Sequence, residues 1–170
     1  MSQIFEFSIP TRILFGKGQF EAGLRATTES YGRRLVVVSS QSLLKRHETV
    51  LKDTIPDGRF FAVPSNPTDT DVEAIFAALK GSHVDGVVGL GGGSAMDSAK
   101  ALSFLVGGEI PSIQDYFQNE RPLATRKTPL VLVATTSGTG SEVSRGAIIH
   151  DTVAGLKKGL RGPAVAPDRA

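Results

Sequence analysis

The 170-residue sequence has no cysteine, which excludes disulfides, thiolate metal sites, CxxC redox chemistry and a cysteine nucleophile, and fits a reducing compartment. Histidine is scarce. His47, His83 and His150 lie far apart and form no HExxH or HxxxH pair, so the chain by itself carries no recognisable metal motif. An excess of one charge sign is lacking too. Lys and Arg number 19 against 17 Asp and Glu, and a net charge of +2 gives no electrostatic reason to expect nucleic acid or a membrane surface as partner. Apolar stretches are short: residues 130–134 make a run of five, against the ~20 of a membrane helix. The opening MSQIFEFSIP carries Glu6 and lacks a basic region followed by an apolar run, so no leader is recognised and a soluble, cytoplasmic protein is expected.

What remains is the profile of one globular domain, 40% hydrophobic and 21% charged, without repeats or low-complexity tracts. Glycine is over-represented: 19 residues, roughly 11% of the chain against a usual ~7%. Where they cluster matters more than their number.

Residues 12–15 (RILF) are β-prone and stop at Gly16, after which Phe20, Leu24 and Tyr31 recur at helical spacing up to Gly32. Residues 35–38 are a continuous Leu/Val run, the pattern of a strand buried on both faces of a parallel sheet. A shorter helix with Leu44, His47 and Leu51 on one stripe and a strand at 59–62 follow; His47 reads as structural and His83 as an exposed loop residue. The turn Asn66-Pro67-Thr68 opens a helix with Val72, Ile75, Phe76 and Leu79 on its apolar face. Residues 86–90 form a buried strand running into Gly91-Gly92-Gly93-Ser94, and Ala95, Ala99, Leu102 and Leu105 trace the next helix. Residues 107–128, with Pro111 and Pro122, read as irregular; 130–134 and 147–150 read as strands. Residues 162–170 look like a connecting loop, as if an N-terminal fragment ended there. The alternation predicts a doubly wound (Rossmann-like) α/β domain with a mostly parallel sheet, flanking helices and an N-terminal β segment.

In such sheets ligands sit beyond the carboxyl ends of the strands, where both polar glycine-rich runs fall. GLGGGSAMDSAK (89–100) has the physics of an anion loop: glycines admit backbone N–H groups, Ser94 adds a hydroxyl, and a helix N-terminus follows. It is neither GxGxxG nor a Walker A loop. A tight strand-to-helix turn that binds nothing has the same composition. TTSGTGSE (135–142) suits a loop around a polar ligand, or equally a short helix capped by Thr139 or Ser141. Two such loops after two buried strands favour a shared crevice of dinucleotide size. Asp97 reads as a ligand-orienting carboxylate or as an ordinary first-turn acid, and Lys157 with Lys158 as a phosphate partner or a solvated pair.

At these loops the sequence resembles the iron-containing (group III) alcohol dehydrogenases: GGGSAMDSAK at 91–100 matches GGGSxxDxAK, and TTSGTGSEVS at 135–144 matches TTxGTGSEVT. RILFGKGQ at 12–19, Asn66-Pro67-Thr68, GLKKGL at 155–160 and Pro167-Asp168 fit the same family in order. The resemblance implies the NAD(P)-binding N-terminal domain, residues 1–170, of a two-domain enzyme that interconverts alcohols with aldehydes or ketones. It places Asn66, Gly92, Gly93, Ser94, Thr135, Thr136, Thr139, Ser144 and Lys157 on the cofactor, with the pyrophosphate at Gly93 and Ser94 and with Asp97 beside the nicotinamide side of the loop. Iron or another divalent metal would be held by an all-helical second domain beginning after Ala170, so neither catalytic nor metal-ligating residues are assigned in this chain. The isolated chain is then expected to bind nucleotide weakly at most, to show no turnover, and to self-associate as a homo-oligomer. Many NAD-preferring members carry an Asp after the second strand, where VVVSSQSL places Ser40; the resemblance therefore implies that NADP is tolerated or preferred. Competing readings are a non-catalytic nucleotide-binding module and a glycerol dehydrogenase- or dehydroquinate synthase-like relative; TTSGTGSEVS favours the iron-containing branch.

Overall fold

In the computed structural model, residues 8–119, 121 and 123–170 are described; Glu6 and Pro122, used above, lie outside them. The continuous apolar runs become the sheet. β1 (Leu35–Ser39), β2 (Arg59–Ala62), β3 (Gly86–Gly91) and β4 (Leu130–Ala134) are parallel in the order β2-β1-β3-β4, with Val37 level with Phe60 on one side and Val88 on the other. Alternate side chains enter different cores. Leu35 and Val37 pack with Leu24 of α1 (Gln19–Tyr31) and Leu51 of α3 (Glu48–Thr54). Val36 and Val38 pack with Val72 of α4 (Asp69–Ala78) and with Ala99 and Leu102 of α5 (Gly93–Gly107). Helices on both faces make the sheet doubly wound, as expected.

The chain steps from β1 out to β2 through α2 (Gln41–Arg46) and α3, then returns past β1 to β3 through α4. The reversal leaves a crevice at the carboxyl ends of β1 and β3, the topological switch point. Two local devices fix what borders it. Thr68 starts α4 with a reciprocal cap, its Oγ1 accepting from Asp71 N (3.1 Å) while its N–H donates to Asp71 Oδ2 (2.8 Å), which sets the turn at Asn66 and Pro67. Gly89 lets α5 lie close on β3: a Cβ there would stand 2.8 Å from Ala99 Cβ and 3.2 Å from Met96 Cα.

Several elements depart from expectation. Residues 12–15 form a single bridge, Arg12 to Arg169, instead of a strand, because their partner is the chain's last residues, which run along the open edge of β4. Leu132 N donates to Arg169 O (3.0 Å), so the supposed terminal loop extends the sheet by hydrogen bonding. Within the irregular stretch Ile113, Tyr116 and Phe117 bury one face of a short helix, α6 (Ile113–Asn119). The last predicted strand is half of an antiparallel hairpin, β5 (Gly146–Asp151) with β6 (Leu156–Arg161). His47 is half-buried, its ring 4.9 Å from that of Phe20, at the break between α2 and α3. His83 is exposed but lies 2.9 Å from Asp85, whose carboxyl the Arg34 guanidinium holds below its usual range. Among the described residues no helix is long and apolar enough to cross a membrane.

Candidate functional site

α5 begins where β3 ends, with Gly92 at its N-cap. The first N–H groups of the helix have no intrahelical partner and carry the positive end of its dipole. Above them, Asn66 adopts a left-handed backbone at φ 55°, which asparagine tolerates better than most residues. Its N–H donates to Ser94 Oγ (3.2 Å) and its Oδ1 accepts from Lys157 Nζ (2.7 Å). Lys157 arrives on β6 opposite His150, whose N–H donates to Pro67 O (3.0 Å) and pins the hairpin to the Asn66 turn. Three segments far apart in sequence therefore meet over one helix N-terminus.

The second glycine-rich run closes the other side. It ends in a 3-10 turn, Ser141–Val143, and is tied to α5 by Asp97, whose Oδ1 accepts from Ser141 Oγ (2.6 Å) and Oδ2 from Ile148 N (2.9 Å). Both oxygens of Asp97 are thus engaged in bracing the Ser141 turn and the strand that carries Ile148, Gly146–Asp151. Between the loops little room is left. A Cβ at position 93 would lie 2.9 Å from Thr139 Cγ2 and one at 92 would lie 3.3 Å from Thr136 Oγ1, so side chains there would fill the space through which an anion reaches the backbone. The open cleft measures about 540 Å³, inside the range of small-ligand sites.

Of the anticipated residues, Asn66, Gly93, Ser94, Asp97, Thr139, Ser144 and Lys157 line this cleft. Ser40, Gly92, Thr135 and Thr136 are not among its lining residues. Ser40 caps α2, its Oγ accepting from Leu43 N (3.3 Å); Thr135 N donates to Gly91 O (3.0 Å), and Thr136 packs on Gly92. Sequence reasoning missed Ser141, Ile148 and His150 as lining residues, and missed Lys100 altogether. The available signal for Lys100 was its place among Met96, Ala99 and Leu102, where a helical face is otherwise apolar or small.

The hairpin that carries Lys157 is anchored from below. Gln114 Nε2 donates to Asp69 and, at 2.7 Å, to Asp151 Oδ1, which also accepts from the N–H groups of Val153 (2.9 Å) and Ala154 (3.1 Å). Lys158 Nζ lies 2.9 Å from Asp151 Oδ2. The Gln114 bond first, then these other donors, hold the Asp151 carboxyl well below the usual carboxylate range. Alternation along β6 thus sends Lys157 to the cleft and Lys158 to a buried acid, which corrects the reading of a solvated pair.

A second cavity of about 440 Å³ lies against β2, lined by Leu44, Leu51 and Phe60 with Lys45, Glu48 and Lys52; neither glycine loop reaches it. Among the described residues no group of three or more His, Cys, Asp or Glu side chains is placed to hold a metal ion, so no step below runs through one.

Sheet order, switch-point cleft and dipole-tipped cradle define a doubly wound α/β domain suited to an anionic ligand. Comparison with known proteins makes the assignment specific: the model of the iron-containing alcohol dehydrogenases matches residues 10–170. The chain belongs to that family. It is 32% identical over 182 residues to the protein named "Probable alcohol dehydrogenase EutG" of Salmonella typhimurium, covering 100% of this chain and 44% of the relative. NADH-dependent butanol dehydrogenase A of Clostridium acetobutylicum is 28% identical, with 92% of this chain and 41% of the relative covered. Sulfoacetaldehyde reductase from Bifidobacterium kashiwanohense, solved in complex with NAD+, superposes with a TM-score of 0.88 at 26% identity, covering 99% of this chain and 46% of that one. The chain spans about half the length of these relatives or less.

Proposed function

We propose that the chain is the nicotinamide-cofactor half of an alcohol dehydrogenase acting on a small alcohol or aldehyde. The observation that carries this reading is the convergence of Asn66, Ser94 and Lys157 on the N-terminus of α5. The diphosphate of NAD(P) fits the Gly93–Ser94 cradle, where free N–H groups and a helix dipole favour negative charge. Lys157 supplies the mobile cation, released from Asn66, and Thr139 and Ser144 offer hydroxyls along the cofactor's length. Gly92, Thr135 and Thr136 shape the cradle from behind, and Asp97 keeps its two walls together. When bound, the cofactor supplies hydride chemistry; these residues bind and orient it. Saturable NADH binding that is lost in Lys157→Met supports the reading, and affinity unchanged by that substitution contradicts it.

The adenosine end extends towards Ser40, at the carboxyl end of β1. A capping serine there offers no negative charge against a 2′-phosphate, so NADP is accepted as well as NAD. Ser40→Asp preserves the cap, because aspartate caps helices as well as serine does. It is expected to weaken NADPH relative to NADH by about tenfold through like-charge repulsion. An unchanged NADPH/NADH ratio in a folded Ser40→Asp chain rules the ribose away from this position.

A further inference from the structure

We propose that Lys100 is a positioning residue for the cleft: its buried ammonium holds the wall from Ser144 to Gly146 in the shape that receives the cofactor, and loss of its proton loosens that wall. The inference rests on the cofactor reading above.

Lys100 is fully buried, at 0% exposure, in the second turn of α5. Lysines are almost never buried so completely without a charged partner, yet its three bonds go to uncharged oxygens. Nζ donates to Ser144 O (3.0 Å), Ser144 Oγ (3.0 Å) and Gly146 O (2.7 Å). An ammonium has three protons, and all three are used. A neutral amine has two protons and a lone pair, so on deprotonation either one of the three bonds breaks or the Ser144 hydroxyl turns its proton to the lone pair and gives up the bond it donates to Gly146 O (3.2 Å); one hydrogen bond of the wall is lost in both cases. Ser144 and Gly146 both line the cleft, and two residues further Ile148 is held by Asp97. Asp97 and Lys100 lie three apart on one helix face and fix the same stretch of wall at two points.

Proton loss occurs within reach of experiment. Burial moves the Lys100 amine from its ordinary 10.5 down to about 8; Asp97 on its own helix and Glu142 in the 3-10 turn oppose the shift, and Arg126 before β4 adds to it. Below pH 8 both folded and unfolded chains carry the proton, and the burden of a buried charge on the fold is fully present. Between about 8 and 10.5 the folded chain has released it and the unfolded chain has not, so this group's contribution to stability rises with pH. Positioning requires the opposite trend in affinity. A lysine that merely stabilised the fold would move both together.

The test uses the whole 170-residue chain with NADH as probe, followed by NADH fluorescence and carbon-detected NMR from pH 7 to 9.5. The Lys100 Cε signal is expected to titrate near 8, and the carbonyl carbons of Ser144 and Gly146 to shift with the same midpoint. NADH affinity should fall about tenfold over that range, the effect of one lost hydrogen bond, while wild type gains thermal stability relative to Lys100→Met. Lys100→Met should bind NADH about tenfold more weakly at pH 7, with no step near pH 8. Affinity that stays flat while Lys100 deprotonates overturns the proposal, as does wild-type affinity in a folded Lys100→Met chain. Should that variant not fold, the wild-type pH profile decides alone. Absence of NADH binding at pH 7 defeats the cofactor reading instead, and the two carbonyl signals still decide whether Lys100 holds the wall.

Discussion

Gly89→Val is expected to lower the thermal midpoint of the chain by about 10 °C, corresponding to about 3 kcal/mol for a domain of this size. Strand propensity argues the other way, since valine is favoured in strands, but that preference spans only ~1 kcal/mol. The steric term is larger and falls on backbone. A Cβ at position 89 would meet Leu132 Cδ2 at 2.7 Å, Ala99 Cβ at 2.8 Å and Met96 Cα at 3.2 Å, so α5 must lift from the sheet to admit it. Because the same helix presents Gly93 and Ser94 at its N-terminus, nucleotide affinity should fall with stability. Gly138→Ala is the matched control. Nothing lies within 4 Å of a Cβ there and its φ is not positive, so the midpoint should stay within about 1 °C of wild type. Thermal unfolding followed by circular dichroism distinguishes these outcomes, and a Gly89→Val midpoint equal to wild type would show that α5 does not pack on β3 as described.

Gly93→Val is expected to separate binding from folding. At the first position of α5 the backbone is ordinary helix, and the nearest neighbour of a new Cβ is the Thr139 side chain at 2.9 Å, which can turn aside at the cost of one long hydrogen bond, the 3.3 Å bond its Oγ1 accepts from Ser141 N. The fold therefore survives. The branched side chain, however, occupies the approach to the helix N–H groups. Losing even one of the charge-assisted bonds these would make, at about 1.5–3 kcal/mol each, weakens nucleotide binding by at least about tenfold. Calorimetric titration with NADH checks it; wild-type affinity in Gly93→Val would remove the diphosphate from this cradle.

The contrast between these two glycines shows what the sequence made legible. Strands buried on both faces are written as continuous apolar runs, and α4 and α5 carry both periodicity and start signals, so the parallel sheet and its switch point could be placed in advance. β6 could not. LKKGLR alternates between a cleft, a buried acid and a core contact at Leu160, so its polarity reads as solvent exposure until the partner strand and Asp151 are known. α6 is only seven residues long, and its apolar positions carry too little periodicity to stand out between prolines. The N-terminal segment was β-prone, but its partner is the last residues of the chain, a pairing that local sequence does not encode.

The site divides in the same way. Gly93, Ser94 and Asn66 belong to motifs whose backbone chemistry is visible in one dimension. Lys157 required the resemblance, because only the hairpin brings it within 2.7 Å of Asn66. Lys100 closes the GGGSxxDxAK match and interrupts an otherwise apolar face, but neither signal gives it a role, since a lysine on a helix reads as solvated unless three acceptors from a distant turn are known to surround it. Ser40 was placed correctly at the end of β1, while its hydroxyl is taken up by the α2 cap, so its proposed influence on the cofactor is the absence of a charge and not a bond.

The central claim is that a nicotinamide dinucleotide lies in the cleft over the N-terminus of α5. Amide chemical-shift mapping during titration with NADH tests it most directly. The account predicts saturable shifts largest at Asn66, Gly93, Ser94 and Ser144, reproduced by NADPH and abolished by Gly93→Val. Shifts centred instead on Lys45, Lys52 and Phe60, around the cavity against β2, would contradict it.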